Sequence, residues 1–66
     1  MKHYYFIENE SGEEFLVGAY TEAEAWEIAM SVAEAIQKNE ELEDIDLSFE
    51  YEMTEEEAEN SGLDEY

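Results

Sequence analysis

Cysteine and arginine are absent from these 66 residues, and two lysines are the only strong cations set against 21 Asp and Glu. Without cysteine there is neither a disulfide framework nor a thiolate metal site. Non-specific affinity for nucleic acid comes from neutralising phosphates with cations. A chain with a formal net charge of −19 is instead repelled by DNA, RNA and anionic membrane surfaces. Long apolar runs are also missing. No segment approaches the roughly 20 residues of a membrane span, and MKHYYFIENE lacks the apolar centre of a signal peptide. The chain is therefore expected to be cytosolic.

Histidine occurs once, as His3, and Ser11, Ser31, Ser48 and Ser61 fall in no triad spacing. His3 reads as an ordinary residue at a strand end. Paired carboxylates can hydrolyse glycosides, but a domain this small lacks the walls of a sugar cleft. No enzymatic activity and no cofactor are expected. Asp44, Asp46, Ser48, Glu50, Glu52 and Glu55 match ligand positions of a calcium-binding EF-hand loop, yet Phe49 stands where that loop needs glycine for its sharp turn. The same window alternates apolar residues that a strand buries and a calcium loop cannot. No metal site is expected.

Apolar residues nevertheless make up 44% of the chain, nine of them aromatic, which is incompatible with wholesale disorder. Thr21–Lys38 is predicted to be the one long helix. Ala25, Ile28, Ala29, Val32, Ala33 and Ile36 recur at three- and four-residue steps, with Glu24, Glu27, Ser31, Glu34 and Lys38 on the opposite side. Thr21 and Glu24 form a capping-box pattern. Glu22 and Glu24 suit the positive end of the helix dipole, and Lys38 the negative end. Trp26 and Met30 lie at the shoulder of the apolar stripe, where Trp26 either seals the sheet edge or anchors a partner.

HYYFI (3–7) reads as a strand, ENESGE (8–13) as a hairpin turn and EFLV (14–17) as the returning strand, with a bulge or sharp exit at Gly18. A loop with an even number of residues puts Tyr4, Phe6, Phe15 and Val17 on one face and Tyr5, Ile7 and Leu16 on the other. An odd loop exchanges some of these. Asn39 is a plausible helix stop. From 45 to 53, Ile45, Leu47, Phe49, Tyr51 and Met53 alternate with Asp46, Ser48, Glu50 and Glu52, the pattern of a half-buried strand. Residues 54–66 are an acidic C-terminal segment. It carries a second capping-box pattern at Thr54 and Glu57 and a stop at Asn60–Gly62. One or two frayed helical turns, docked by Leu63, and then a loose end are expected.

The order β-β-α-β over residues 1–53 predicts a single α+β two-layer domain. A right-handed crossover returns the third strand beside the first, giving a three-stranded antiparallel sheet of order 2-1-3 with the helix on one face. On the other face, Tyr5, Ile7 and Leu16 lie beside a row of carboxylates. Either the tail or a second chain must cover them.

The acidic residues recur at regular steps. Same-face strand residues are about 6.7 Å apart, and helix residues one turn apart are separated by about 5–6 Å. Both are comparable with the separation of phosphates along a nucleic-acid strand, whose rise is about 3.4 Å per phosphate. In size, composition and the rows Glu24/Glu27/Glu34, Asp46/Glu50/Glu52 and Glu55/Glu56/Glu57/Glu59, the chain resembles the small acidic DNA mimics of phages and mobile elements. That class includes anti-restriction proteins, anti-CRISPR proteins and inhibitors of uracil-DNA glycosylase. The resemblance implies a non-enzymatic inhibitor that occupies the nucleic-acid groove of a basic host protein in the host cytoplasm. On charge and periodicity, its expected contact residues are Asp46, Glu50, Glu52, Glu24, Glu27, Glu34, Glu55 and Glu56, with the third-strand trio foremost. The alternative is a small structural or assembly module, a homodimer joined through the open sheet face, whose charge serves solubility.

Overall fold

A computed structural model describes all residues 1–66. The elements are β1 (Lys2–Glu8), β2 (Glu13–Ala19), α1 (Glu22–Glu40), β3 (Leu47–Met53) and α2 (Glu55–Ser61). The sheet is antiparallel with order β2-β1-β3, so the most continuously apolar strand is central, as the sequence predicts. The turn Asn9–Gly12 has four residues, and the even-loop register holds. Tyr4 faces Val17, Phe6 faces Phe15 and Tyr5 faces Leu16. Gly12 takes a left-handed conformation, φ 78°, which glycine adopts at least cost.

α1 lies on the face that carries Tyr4, Phe6, Phe15, Val17 and Ala19. The helix supplies small buried residues, Ala25, Ala29 and Ala33, while the sheet supplies bulk, so the aromatic rings pack close to the helix. Phe6 is fully buried and touches three rings, stacked on Phe15, tilted against Phe49 and edge-on to Trp26 at 5.1 Å. Trp26 thus closes the core, and its indole N–H donates to Glu22 at 3.3 Å. The Thr21 hydroxyl accepts the Glu24 N–H, but the return arm of the box differs from expectation: Glu24 accepts the N–H of Tyr20.

Three expectations are corrected. The helix does not stop at Asn39. It continues to Glu40, and Glu41 takes the left-handed position (φ 55°, ψ 43°), which brings Leu42 back against the core with its N–H on Gln37 O. Gly18 forms no bulge; it pairs regularly with His3, and its missing side chain leaves room for Met1 and Glu65. The bulge occurs instead in β3. Tyr51 pairs with Tyr5 and Phe49 with Phe6, leaving Glu50 as the extra residue. Its presence ends the alternation read over 45–53. Leu47, Phe49 and Glu52 share the α1 side of the sheet, whereas Ser48, Tyr51 and Met53 share the far side with Ile7, Tyr5 and His3.

The tail is not a loose end. Thr54 and Glu57 form the reciprocal capping box, and Gly62 ends α2 at φ 74°. The chain then runs along the outer edge of β2. Leu16 N–H donates to Asp64 O at 2.9 Å, Tyr66 N–H to Leu16 O at 2.9 Å and Gly18 N–H to Tyr66 O at 2.8 Å, with Glu65 bridging Leu16 in parallel. Tyr66 sets its ring edge-on to Phe15, and Glu65 pairs with His3. With α2 packed against β1 and β3, the tail covers part of the far face, where Leu16 and Met53 are buried and Leu63 is half-buried. Residues 54–66 therefore pack onto the β-β-α-β unit.

Candidate functional site

Twenty of the 21 acidic side chains are exposed; the exception is Glu8 at 0% exposure. It stands at the end of β1, on the α1 side of the sheet opposite Leu47. Its carboxylate accepts the backbone N–H of Ser11 at 2.7 Å and that of Asp46 at 2.8 Å, tying the hairpin turn to the strand that returns from α1. Burial works against its charge, but the N–H groups of Asp46, Ser11 and Glu10 and the Ser11 hydroxyl outweigh that cost. They hold the carboxyl below its ordinary range. Every buried side-chain polar atom has a partner. Glu8 is thus an internal tie, and nothing in the sequence pattern marks it beyond its position after an apolar strand.

The other acids divide by whether the fold occupies their side chains. Glu24 serves the helix N-terminus, Glu57 caps α2, Glu65 pairs with His3 and Glu14 accepts the Tyr5 hydroxyl. Glu52 lies 4.0 Å from Lys2 on the α1 side of the sheet. Of the eight residues expected at a partner surface, Glu27, Glu34, Asp46, Glu50, Glu55 and Glu56 keep carboxylates with no hydrogen-bond or ion-pair partner within the chain, whereas Glu24 and Glu52 do not. Glu27 and Glu34 lie exposed on α1, and Glu55 and Glu56 on the first turn of α2.

The third-strand trio does not form the single row expected. Asp46 precedes the strand, Glu50 occupies the bulge and Glu52 is carried to the α1 side. The reason for ranking it above the tail, that a strand is more rigid than a frayed end, also falls, because α2 is capped and packed. Glu50 and Glu52 have a local role as well. β3 is a free sheet edge, and its bulge and carboxylates discourage another strand from pairing with it.

Tyr5, expected on the far face as a residue in need of cover, has partners that the sequence did not point to. On the far side of the sheet its ring meets Tyr51 edge-on at 5.3 Å, and Tyr51 is 50% exposed. The Tyr5 hydroxyl donates to Glu14. That hydrogen bond, with burial and the nearby charges of Glu14, Tyr51 and Glu50, pushes its pKa up to about 12.

No group of three or more His, Cys, Asp or Glu is gathered so as to hold a metal ion, and the EF-hand-like window runs along β3. No helix is long and apolar enough to cross a membrane. Comparison with protein-family models, curated proteins and solved structures finds no match. The fold and site together define a small α+β domain with exposed carboxylates on every element except the central strand β1.

Proposed function

We propose that this chain is a non-enzymatic inhibitor that binds the cationic nucleic-acid groove of a DNA-handling protein, taking the place of DNA in the host cytoplasm. The observation that carries the reading is charge per unit length. The molecule spans 34 Å in its longest dimension and has a net charge of −19. A DNA duplex carries one negative charge per about 1.7 Å of axis, so the same length holds about 20. A basic groove that tracks ten base pairs meets a comparable charge here, on a scaffold that needs no bases. Nineteen unbalanced charges also work against a small domain's stability, which favours their serving a partner over their serving solubility alone.

The test is competition. A labelled duplex is bound in turn to restriction, CRISPR and repair enzymes, and its release is followed by fluorescence anisotropy as this chain is added. The expected outcome is release from at least one enzyme, with affinity falling less steeply with salt than that of DNA. A compact protein has no condensed counterions to give up. Neutralising three carboxylates that the fold leaves free, Asp46→Asn, Glu50→Gln and Glu55→Gln, should weaken competition about 1000-fold or more, at about 1.5 kcal/mol or more per lost charge pair. Duplex and protein bound together on every enzyme that takes both, or no release from any enzyme tested, would sink the proposal.

A further inference from the structure

The far face of the sheet is only half closed. α2 and the tail cover the end that carries His3, Leu16 and Met53, leaving Tyr5, Ile7, Ser48 and Tyr51 toward the hairpin end. Tyr51 reaches this face only because the bulge at Glu50 shifts the register by one residue. Glu14 shares the face, opposite Ile7, and holds the Tyr5 hydroxyl; the charge of Glu50 also reaches that hydroxyl. No lysine of the chain lies here. Lys2 sits beside Glu52 on the α1 side, and Lys38 is on the last turn of α1.

We propose that the Tyr5–Tyr51 pair, with Glu14 and Glu50 beside it, is a docking point for an arginine side chain of a basic partner protein. Charge complementarity and ring chemistry both select that occupant. A guanidinium lies flat on an aromatic face while its N–H fork reaches carboxylates, and an ammonium, compact and strongly hydrated, does this less well. Tyrosine and arginine are also the residues most enriched where protein interfaces concentrate their binding energy. Solubility does not account for the pair, because exposed aromatic surface lowers it. The inference rests on the inhibitor reading for the basic character of the partner and adds where that partner is gripped. It also separates the chain from a pure charge mimic, to which arginine and lysine would look alike.

The experiment uses the full chain with blocked octa-arginine and octa-lysine peptides at 0.15 M salt, following affinity by calorimetry and the tyrosine rings by NMR. The arginine peptide should bind about threefold tighter or more and should move the Tyr5 and Tyr51 ring signals further than those of Tyr20, which is exposed elsewhere. Tyr51→Leu should reduce arginine binding to the lysine level, while Tyr51→Phe and Tyr20→Leu should keep the preference. Equal binding of the two peptides, a preference that survives Tyr51→Leu, or largest ring shifts at Tyr20 would overturn the proposal. The ring shifts are read on the unaltered chain, so they decide even if a variant fails to fold. If Tyr51→Leu displaces DNA as well as the parent does, the docking point fails and the inhibitor reading stands. Arginine selectivity at Tyr51 with no displacement of DNA from any enzyme gives the reverse.

Discussion

At the scale of single residues, Glu8 shows how position overrides type. The carboxylate group that is solvated at the twenty other acidic positions is here a buried hub for two loops, charged because N–H groups converge on it. Replacing it with Gln removes the charge and turns an N–H₂ group toward backbone donors. The variant should lose about 2–3 kcal/mol in chemical denaturation at pH 7. The sign of the pH effect follows from the lowered pKa. The carboxylate's contribution is present above the ordinary glutamate range and is lost as pH falls through the folded-state value. The gap between parent and Glu8→Gln should therefore be full at pH 6 to 7 and shrink as the medium is acidified below that range. A gap that stayed constant with pH would mean that the charge of Glu8 does not matter to stability.

Among the elements, the C-terminal segment changes most between expectation and structure. Three backbone hydrogen bonds and the Tyr66–Phe15 contact attach it to β2, so β2 is not an outer strand along Leu16 to Gly18. Deleting Asp64–Tyr66 should cost about 2–3 kcal/mol, roughly the sum of those bonds and one aromatic contact. Hydrogen exchange gives the sharper check. The Leu16 and Gly18 amides should exchange slowly in the full chain and quickly in the truncated one, while the β1 amides stay protected. Fast exchange of Leu16 and Gly18 in the full chain would show the tail to be detached in solution.

For the whole molecule, repulsion competes with burial. Twenty exposed carboxylates on 4301 Å² of surface average about 15 Å apart. At 0.01 M salt the screening length is about 30 Å and each charge feels most of the others; at 0.15 M it is about 8 Å and only close neighbours count. The melting temperature should rise by about 5 °C over that range, as expected for roughly 1 kcal/mol in a domain of this size. A melting temperature indifferent to sodium chloride would remove repulsion as a significant term. It would also weaken the argument that the charge is kept for a partner.

The helix, the three strands, their order, the Thr21 cap of α1 and the full capping box of α2 were legible in the sequence, because each depends on near neighbours: apolar spacing, a threonine three residues before a glutamate, a short polar turn. So was the acidic exterior, which composition alone dictates. The bulge was not. Ile45 to Met53 alternates without interruption, and only pairing against Tyr5 and Phe6, in a strand already bound to β2, places Tyr51 and Phe49 on opposite faces. Burial of Glu8 and capture of Asp64–Tyr66 were equally hidden. Each needs donors or acceptors from residues far along the chain, Asp46 in one case and Leu16 and Gly18 in the other. Local pattern determined which elements form. Tertiary contact decided which carboxylates stay free and which aromatic rings face outward, because both depend on what the folded chain places next to them.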